Sequence, residues 1–260
     1  MTHDGETIAE RLNRNFERLT RAERQLASAI LANYPVSGLG TVTSVAQAAA
    51  VSTPTVVRMV QKLGFTGFPE FQAELRRELE AKISDPIQKR DAWAENAPGA
   101  HLLNRFTEAV IGNIRSTLAH VDTQSFDRTC SLLADPVRAV FINGGRITRA
   151  LAEYMFLHMQ VIRPRVTLIR SVSNDWPHFL IDLAEGDVVV VFDVRRYENA
   201  TLMLAEMAER KGATIVLFTD QWRSPVERHA TFCFPSRITV PSAWDSNVVT
   251  MLLLETVIAG

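Results

Sequence analysis

The segment Asp187–Phe192 holds four consecutive valines, Val188 to Val191. Successive side chains of a strand point to opposite faces, so an unbroken β-branched run belongs where both faces are covered. That requirement predicts a central strand of a parallel sheet with helices above and below it. The flanking sequence supplies both kinds of element. Strand patterns at Arg138–Asn143, Val166–Ile169, Thr214–Phe218 and Thr231–Phe234 alternate with helical patterns at Thr148–Met159, Asn199–Lys211 and Asp245–Ala259. Gly212 stands as a C-terminal stop after the second of these helices. Repeated β-α alternation from about Phe126 onward predicts an α/β domain built on a parallel sheet.

The first ninety residues have a different texture. Ile8, Leu12, Phe16 and Leu19 recur at helical spacing and predict an amphipathic first helix. Thr20 and Glu23 form a capping-box pattern that opens a second helix with Leu26, Ile30 and Tyr34 on its apolar face. Pro35 ends it, and Pro35–Gly40 is rich in turn residues. Ser44 is then expected to cap a short helix through Ala49. Ala50 and Val51 make a tight turn, and Ser52 or Thr53 caps a helix from Pro54 to Leu63, with Gly64 as its stop. Two short helices joined by such a turn are the geometry of a helix-turn-helix.

The second of those helices has two faces. Val56, Val60 and Leu63 form a core stripe; Thr55, Arg58, Met59 and Lys62 form a neighbouring stripe read as exposed. A formal net charge of −1 over 260 residues argues against a protein that coats nucleic acid, but its distribution is uneven. Between Arg24 and Pro69 there is no Asp or Glu, while Arg58 and Lys62 remain. The N-terminal part of a recognition helix enters the major groove. Ser44, Ser52, Thr53, Thr55 and Arg58 are therefore the candidates for reading base edges or phosphates of double-stranded operator DNA, with Lys62 on the backbone. An ordinary surface helix with two solvated cations would show the same periodicity, and both readings stand at this point.

Phe71–Lys82 continues helically, Ser84–Gly99 reads as an inter-domain linker, and Leu102–Leu118 returns to helical spacing as a packing element between domains or subunits. The predicted organisation is 1–80 for the helical domain, 81–125 for the linker and connecting helix, and 126–260 for the α/β domain. Hydrophobic residues make up 47% of the chain, yet no apolar run reaches the roughly 18–20 residues that span a bilayer. The first thirty residues are polar, with no signal-peptide pattern, so a cytoplasmic location is expected. Cys130 and Cys233 lack metal-ligand spacing and are expected to stay reduced. No metal, cofactor or catalytic residue is assigned.

In parallel sheets ligands sit outside the carboxyl ends of the strands. Two segments qualify. Asn143–Thr148 follows the first strand and opens a helix, so Gly144, Gly145, Arg146 and Thr148 form either an anion cradle or a plain tight turn. Asp193–Glu198 follows the valine strand. Arg195 and Arg196 favour a phosphate or carboxylate there, unless Asp193 and Glu198 neutralise them.

Leu19–Leu75 resembles the helix-turn-helix domain of the RpiR/MurR family of bacterial regulators. The resemblance is carried by LTRAERQLASAILANYP (Leu19–Pro35) and SVAQAAAVSTPTVVRMVQKLGFTGFPEF (Ser44–Phe71). Phe126–Gly260 resembles the sugar isomerase (SIS) domain, an α/β three-layer, flavodoxin-like fold that in these regulators typically binds phosphosugars. The matching features are Val140–Gly145, Gly186–Val190, Lys211–Asp220 and Asp245-Ser246. Several positions depart from the family pattern. Ala50 stands where the family places a turn glycine. The family's Gly-x-Gly-x-Ser loop falls on Gly144, Arg146 and Thr148, and its Ser-x-Ser-Gly-x-Thr loop on Asp193, Arg195, Arg196 and Glu198. Only Thr148 and Ser246 keep hydroxyls where the pattern has them.

The resemblance implies a transcriptional regulator, a homodimer or homotetramer, whose SIS domain senses a small anionic metabolite, a sugar phosphate or carboxylate. A phosphosugar isomerase with an appended DNA-binding domain is the enzymatic alternative. Glu198, His158 and His178 are the available bases for it, but they form no recognisable catalytic arrangement. A ligand-free dimerisation module is the third reading.

Overall fold

The computed structural model describes residues 6–83, 101–169 and 176–260; the linker expected at Ser84–Gly99 lies outside them. The chain divides after residue 85 into two compact units.

The first unit is helical: α1 Ile8–Asn15, α2 Arg21–Ala32, α3 Val42–Ala48, α4 Thr53–Lys62 and α5 Phe68–Ile83. A capping box of Thr7 and Glu10 opens α1, and Thr20 with Glu23 opens α2 as expected. The first helix stops at Asn15 rather than continuing to Leu19. The Asn15 amide donates back to the Arg11 carbonyl (2.8 Å), Phe16–Arg18 tightens into a 3₁₀ turn, and Leu19 turns extended to lead into the Thr20 cap. The cap of α3 is Thr41, not Ser44. Thr41 Oγ1 accepts from Ser44 N–H (3.1 Å), and the Ser44 hydroxyl, inside the first turn, donates to the Thr41 carbonyl (2.9 Å). Leu12, Leu26, Ile30, Val56, Met59, Val60, Phe71 and Leu75 form one core. Truncating a side chain of this size in such a core typically costs about 2–5 kcal/mol.

The second unit contains α6 Leu102–Leu118, α7 Thr123–Ala134, β1 Val140–Gly144, α8 Arg149–Ile162, β2 Val166–Ile169, α9 Trp176–Ile181, β3 Val188–Asp193, α10 Asn199–Arg210, β4 Thr214–Asp220, β5 Phe232–Ser236 and α11 Val248–Ala259. The sheet order is β2-β1-β3-β4-β5, every pair parallel, with Val140 beside Val188 and Val188 beside Thr214. Every residue of β3 is buried. Val188, Val190 and Phe192 pack with Val140, Ile142, Val216 and Phe218 on one face, under α8 and α11. Val189 and Val191 pack with Phe141, Ile215 and Leu217 on the other, under α9 and α10. The valine run is therefore the middle of a three-layer α/β fold. Sequence patterning does not single out α7, which Asp122 caps through the N–H groups of Gln124 and Ser125, nor the six-residue α9. Among the described residues, no helix is long and apolar enough to cross a membrane.

Candidate functional site

The turn between α3 and α4 is held from three sides. Val51 N–H donates to the Ala46 carbonyl (2.9 Å), Gln25 Nε2 donates to the Ala49 carbonyl (2.9 Å), and Ala50 takes a left-handed φ of 50°. Glycine adopts that region freely, whereas alanine is strained there by about 1 kcal/mol.

Ser52 is the N-cap of α4, its hydroxyl 2.8 Å from the Thr55 hydroxyl. Two residues of the stripe expected to be exposed are not. Thr55 is 6% and Met59 0% exposed, because α4 packs against α2, α3 and α5 and so buries more than one stripe. The outward face consists of Ser52, Pro54, Arg58, Gln61 and Lys62, with Thr53 half-buried at its edge and Ser44 exposed on α3. Neither Pro54 nor Gln61 falls on either stripe that helical spacing predicts, because two stripes take no account of the packing partners. Lys62 is exposed yet engaged: its Nζ lies 2.7 Å from a carboxylate oxygen of Glu23 in the first turn of α2. Burial opposes ionisation of Glu23, but hydrogen bonds from Lys62 and Thr20 outweigh it and hold the carboxyl below its ordinary range.

In the α/β unit the chain leaves β1 toward β2 and β3 toward β4, so the two carboxyl ends diverge at a topological switch point, the place where sheets of this order are expected to have a ligand crevice. The structure brings the two predicted loops together there. The Thr148 hydroxyl, buried, donates to the Phe192 carbonyl (2.7 Å), and the Arg146 N–H donates to Glu198 Oε1 (2.7 Å). Gly144 is dictated by close approach, since a Cβ on it would lie 2.5 Å from the Thr148 carbonyl oxygen.

Charge neutralisation follows a different pairing from the one within Asp193–Glu198. The Arg195 guanidinium donates to both carboxylate oxygens of Asp245 (2.6 and 2.9 Å) and lies 4.5 Å from the centroid of the Trp222 ring. Asp193 is buried and accepts from the Ser224 hydroxyl; burial pushes its carboxyl up to about 7. Asp220, fully buried, accepts from Arg195 N–H (2.7 Å), the Tyr197 hydroxyl (2.7 Å) and Trp222 N–H (2.8 Å), and burial raises its carboxyl too. Ser246 is buried; its N–H donates to the Ile238 carbonyl (2.8 Å) and its hydroxyl accepts from Val248 N–H (3.4 Å) at the start of α11. Arg146 and Arg196 reach solvent. Asp220, Trp222 and Ser224 escaped sequence reasoning because they converge on the crevice only through the sheet order. Their one signal was the end of the Lys211–Asp220 strand.

His158 is exposed on α8, its ring 4.3 Å from the Tyr154 ring and tilted to it, and is bonded to that residue's carbonyl (2.9 Å). Among the described residues no group of three or more His, Cys, Asp or Glu is placed to hold a metal ion.

A helix-turn-helix unit followed by a parallel α/β domain is the two-part build of a transcriptional regulator. Residues 6–82 match the rpiR-family helix-turn-helix domain and residues 133–260 match the SIS domain. The chain belongs to the RpiR family of regulators. It is 27% identical to the HTH-type transcriptional regulator HexR of Pseudomonas aeruginosa over 263 residues, covering 97% of this chain and 88% of that one. It is 23% identical to HexR of Escherichia coli over 246 residues, covering 92% and 80%. In fold, it is similar to the sugar isomerase domain of an RpiR transcription factor from Sphaerobacter thermophilus, with TM-score 0.55, 20% identity and coverage of 62% of this chain and 89% of that one.

Proposed function

We propose that the protein binds operator DNA through α4 and regulates transcription in response to a small anionic metabolite taken up at the β1/β3 crevice. The observation that carries the DNA half is the outward face of α4. Ser52, Arg58 and Lys62 project from a helix-turn-helix within a stretch that contains no carboxylate between Arg24 and Pro69. Ser44 and Thr53 flank that face and reach phosphates, whereas Thr55 contributes by fixing Ser52. In this reading residues 1–80 carry DNA binding, 81–125 the connection and 126–260 the effector domain.

One recognition helix reads too few base pairs for genomic specificity, so the working form is a dimer that sets two α4 helices about 34 Å apart on a near-palindromic site. The effector half draws support from the meeting of Gly144, Gly145, Arg146 and Thr148 with Asp193, Arg195, Arg196 and Glu198, and from Asp245-Ser246 at its margin. Exposed Arg146 and Arg196 are the groups for an incoming anion.

Sequencing of genomic fragments retained by the full chain tests the reading. Enrichment of a near-palindromic sequence, with affinity falling steeply as salt rises, is expected. Retention indistinguishable from random duplex overturns it. Repeating the titration with a panel of sugar phosphates and carboxylates identifies the effector and the sign of its coupling to DNA.

A further inference from the structure

The β3–α10 loop is fastened by carboxylates. Asp220 accepts the Arg195 N–H and the Tyr197 hydroxyl, Asp245 holds the Arg195 guanidinium, and Asp193 accepts the Glu198 N–H. A loop held at these points has little freedom, and it directs one acidic side chain across the switch point. Glu198 Oε1 reaches the Arg146 N–H at 2.7 Å. The same oxygen lies 3.1 Å from where a Cβ on Gly145 would stand, so the carboxylate rests against the glycine closely enough that a side chain there would push it back by a few tenths of an ångström.

The Arg146 N–H belongs to the turn that opens α8. Backbone donors and the helix dipole favour negative charge at such a turn. It is the donor an effector's phosphate or carboxylate is expected to use, and it already holds an anion of the protein's own. We propose that Glu198 is a resident anion of the β1–α8 turn, and that an effector anion binds there only by displacing it. The proposal rests on the effector reading above.

Two negative groups cannot share one donor site without strong mutual repulsion. The apparent affinity of any anion is therefore lowered by the fraction of time the turn stands open. Glu198 acts as a specificity filter. It excludes simple monoanions and admits a ligand whose anion carries more charge or whose remaining groups find further contacts in the crevice.

Isothermal titration of the full chain with inorganic phosphate compares wild type, Glu198→Ala and Glu198→Gln. If the turn is open a tenth of the time or less, Glu198→Ala should bind phosphate about tenfold tighter or more than wild type. Glu198→Gln, which keeps the acceptor oxygen and loses the charge, should fall between them. Thermal melts of each variant run alongside. If the alanine variant gives no cooperative melt, the isosteric glutamine decides, with about threefold tighter binding as the threshold. Equal phosphate affinity in wild type and variants overturns the proposal, as does absence of phosphate binding in all of them. Operator binding measured on the same samples separates the two readings. Lost operator binding with the affinity gain intact sinks the regulator and leaves the resident anion. The reverse result sinks only the resident anion.

Discussion

Lys62 Nζ, in the last turn of α4, lies 2.7 Å from the carboxylate of Glu23 in the first turn of α2, whose side chain is 4% exposed. The cation at one end of α4 thus fastens the helix to its own domain, while Arg58 one turn earlier faces outward. The two substitutions should separate accordingly. Arg58→Ala is expected to weaken specific operator binding by about 1–3 kcal/mol with an unchanged melting temperature. Lys62→Ala should lower stability by about 1–3 kcal/mol, since it leaves the buried Glu23 carboxylate without its cation, and should reduce the salt dependence of binding by less than one counterion's share. Fluorescence anisotropy across a salt series, with calorimetry, reads both. An Arg58→Ala protein that binds as wild type would remove α4 as the reader.

Ala50 occupies a left-handed backbone position that glycine fills without strain. Ala50→Gly is therefore expected to stabilise the N-terminal unit by about 1 kcal/mol. For a domain of this size that raises its thermal transition by about 4–8 °C. Scanning calorimetry of the full chain checks it, and a lowered transition would mean that the turn relaxes around alanine at no cost.

Arg195 and Arg196 are neighbours with opposite placements. The Arg195 side chain is 3% exposed and doubly bonded to Asp245, so Arg195→Met leaves a partly buried carboxylate without its guanidinium. Breaking such a pair costs about 3–5 kcal/mol when fully buried; with Asp245 21% exposed, a loss of about 2–4 kcal/mol is expected by chemical denaturation. Arg196 is exposed, and Arg196→Ala should leave stability within about 0.5 kcal/mol while weakening effector binding. An Arg195→Met protein as stable as wild type would show that the clamp contributes nothing.

The fold was legible in the sequence to the extent that periodicity reports burial. Val188–Val191 announced the sheet's centre, and Thr20 with Glu23 announced the start of α2, because both signals are local. The end of α1 and the cap of α3 turned on local hydrogen bonds, whereas the misplaced faces turned on packing. Thr55 and Met59 lie on a face whose burial depends on α2 and α5, elements distant in sequence, and helical spacing says nothing about how many neighbours a helix has. The crevice behaved likewise. The two loops were legible as strand ends, but their pairing was not. Asp245 is fifty residues from Arg195, and only the placement of α11 beside the sheet brings them together.

Glu78 supplies a pH dependence in the helical unit. It sits on α5, 6% exposed, and accepts from Ile8 N–H (2.8 Å) and from the Tyr34 hydroxyl. Burial pushes its carboxyl from an ordinary 4.5 up to about 7, against the lowering effect of those two donors and with a further raising contribution from Glu74 and Glu10. An acid whose folded-state pKa is raised keeps its proton in the native protein after the unfolded chain has lost it. Stability is then highest below the ordinary carboxylate range, falls as pH rises from about 4.5 to about 7, and stays low above that. The full excursion is on the order of 3 kcal/mol. Glutamine at this position keeps one acceptor oxygen for Ile8 N–H, turns its NH2 toward the Tyr34 hydroxyl oxygen as a donor, and carries no charge at any pH. Glu78→Gln should therefore match wild type near pH 5 and exceed it near pH 8. The difference between the two melting curves, taken at each pH, cancels every other titrating group. A difference that does not grow between pH 5 and pH 8 would show that Glu78 is ionised in the native protein throughout, with its two donors outweighing its burial.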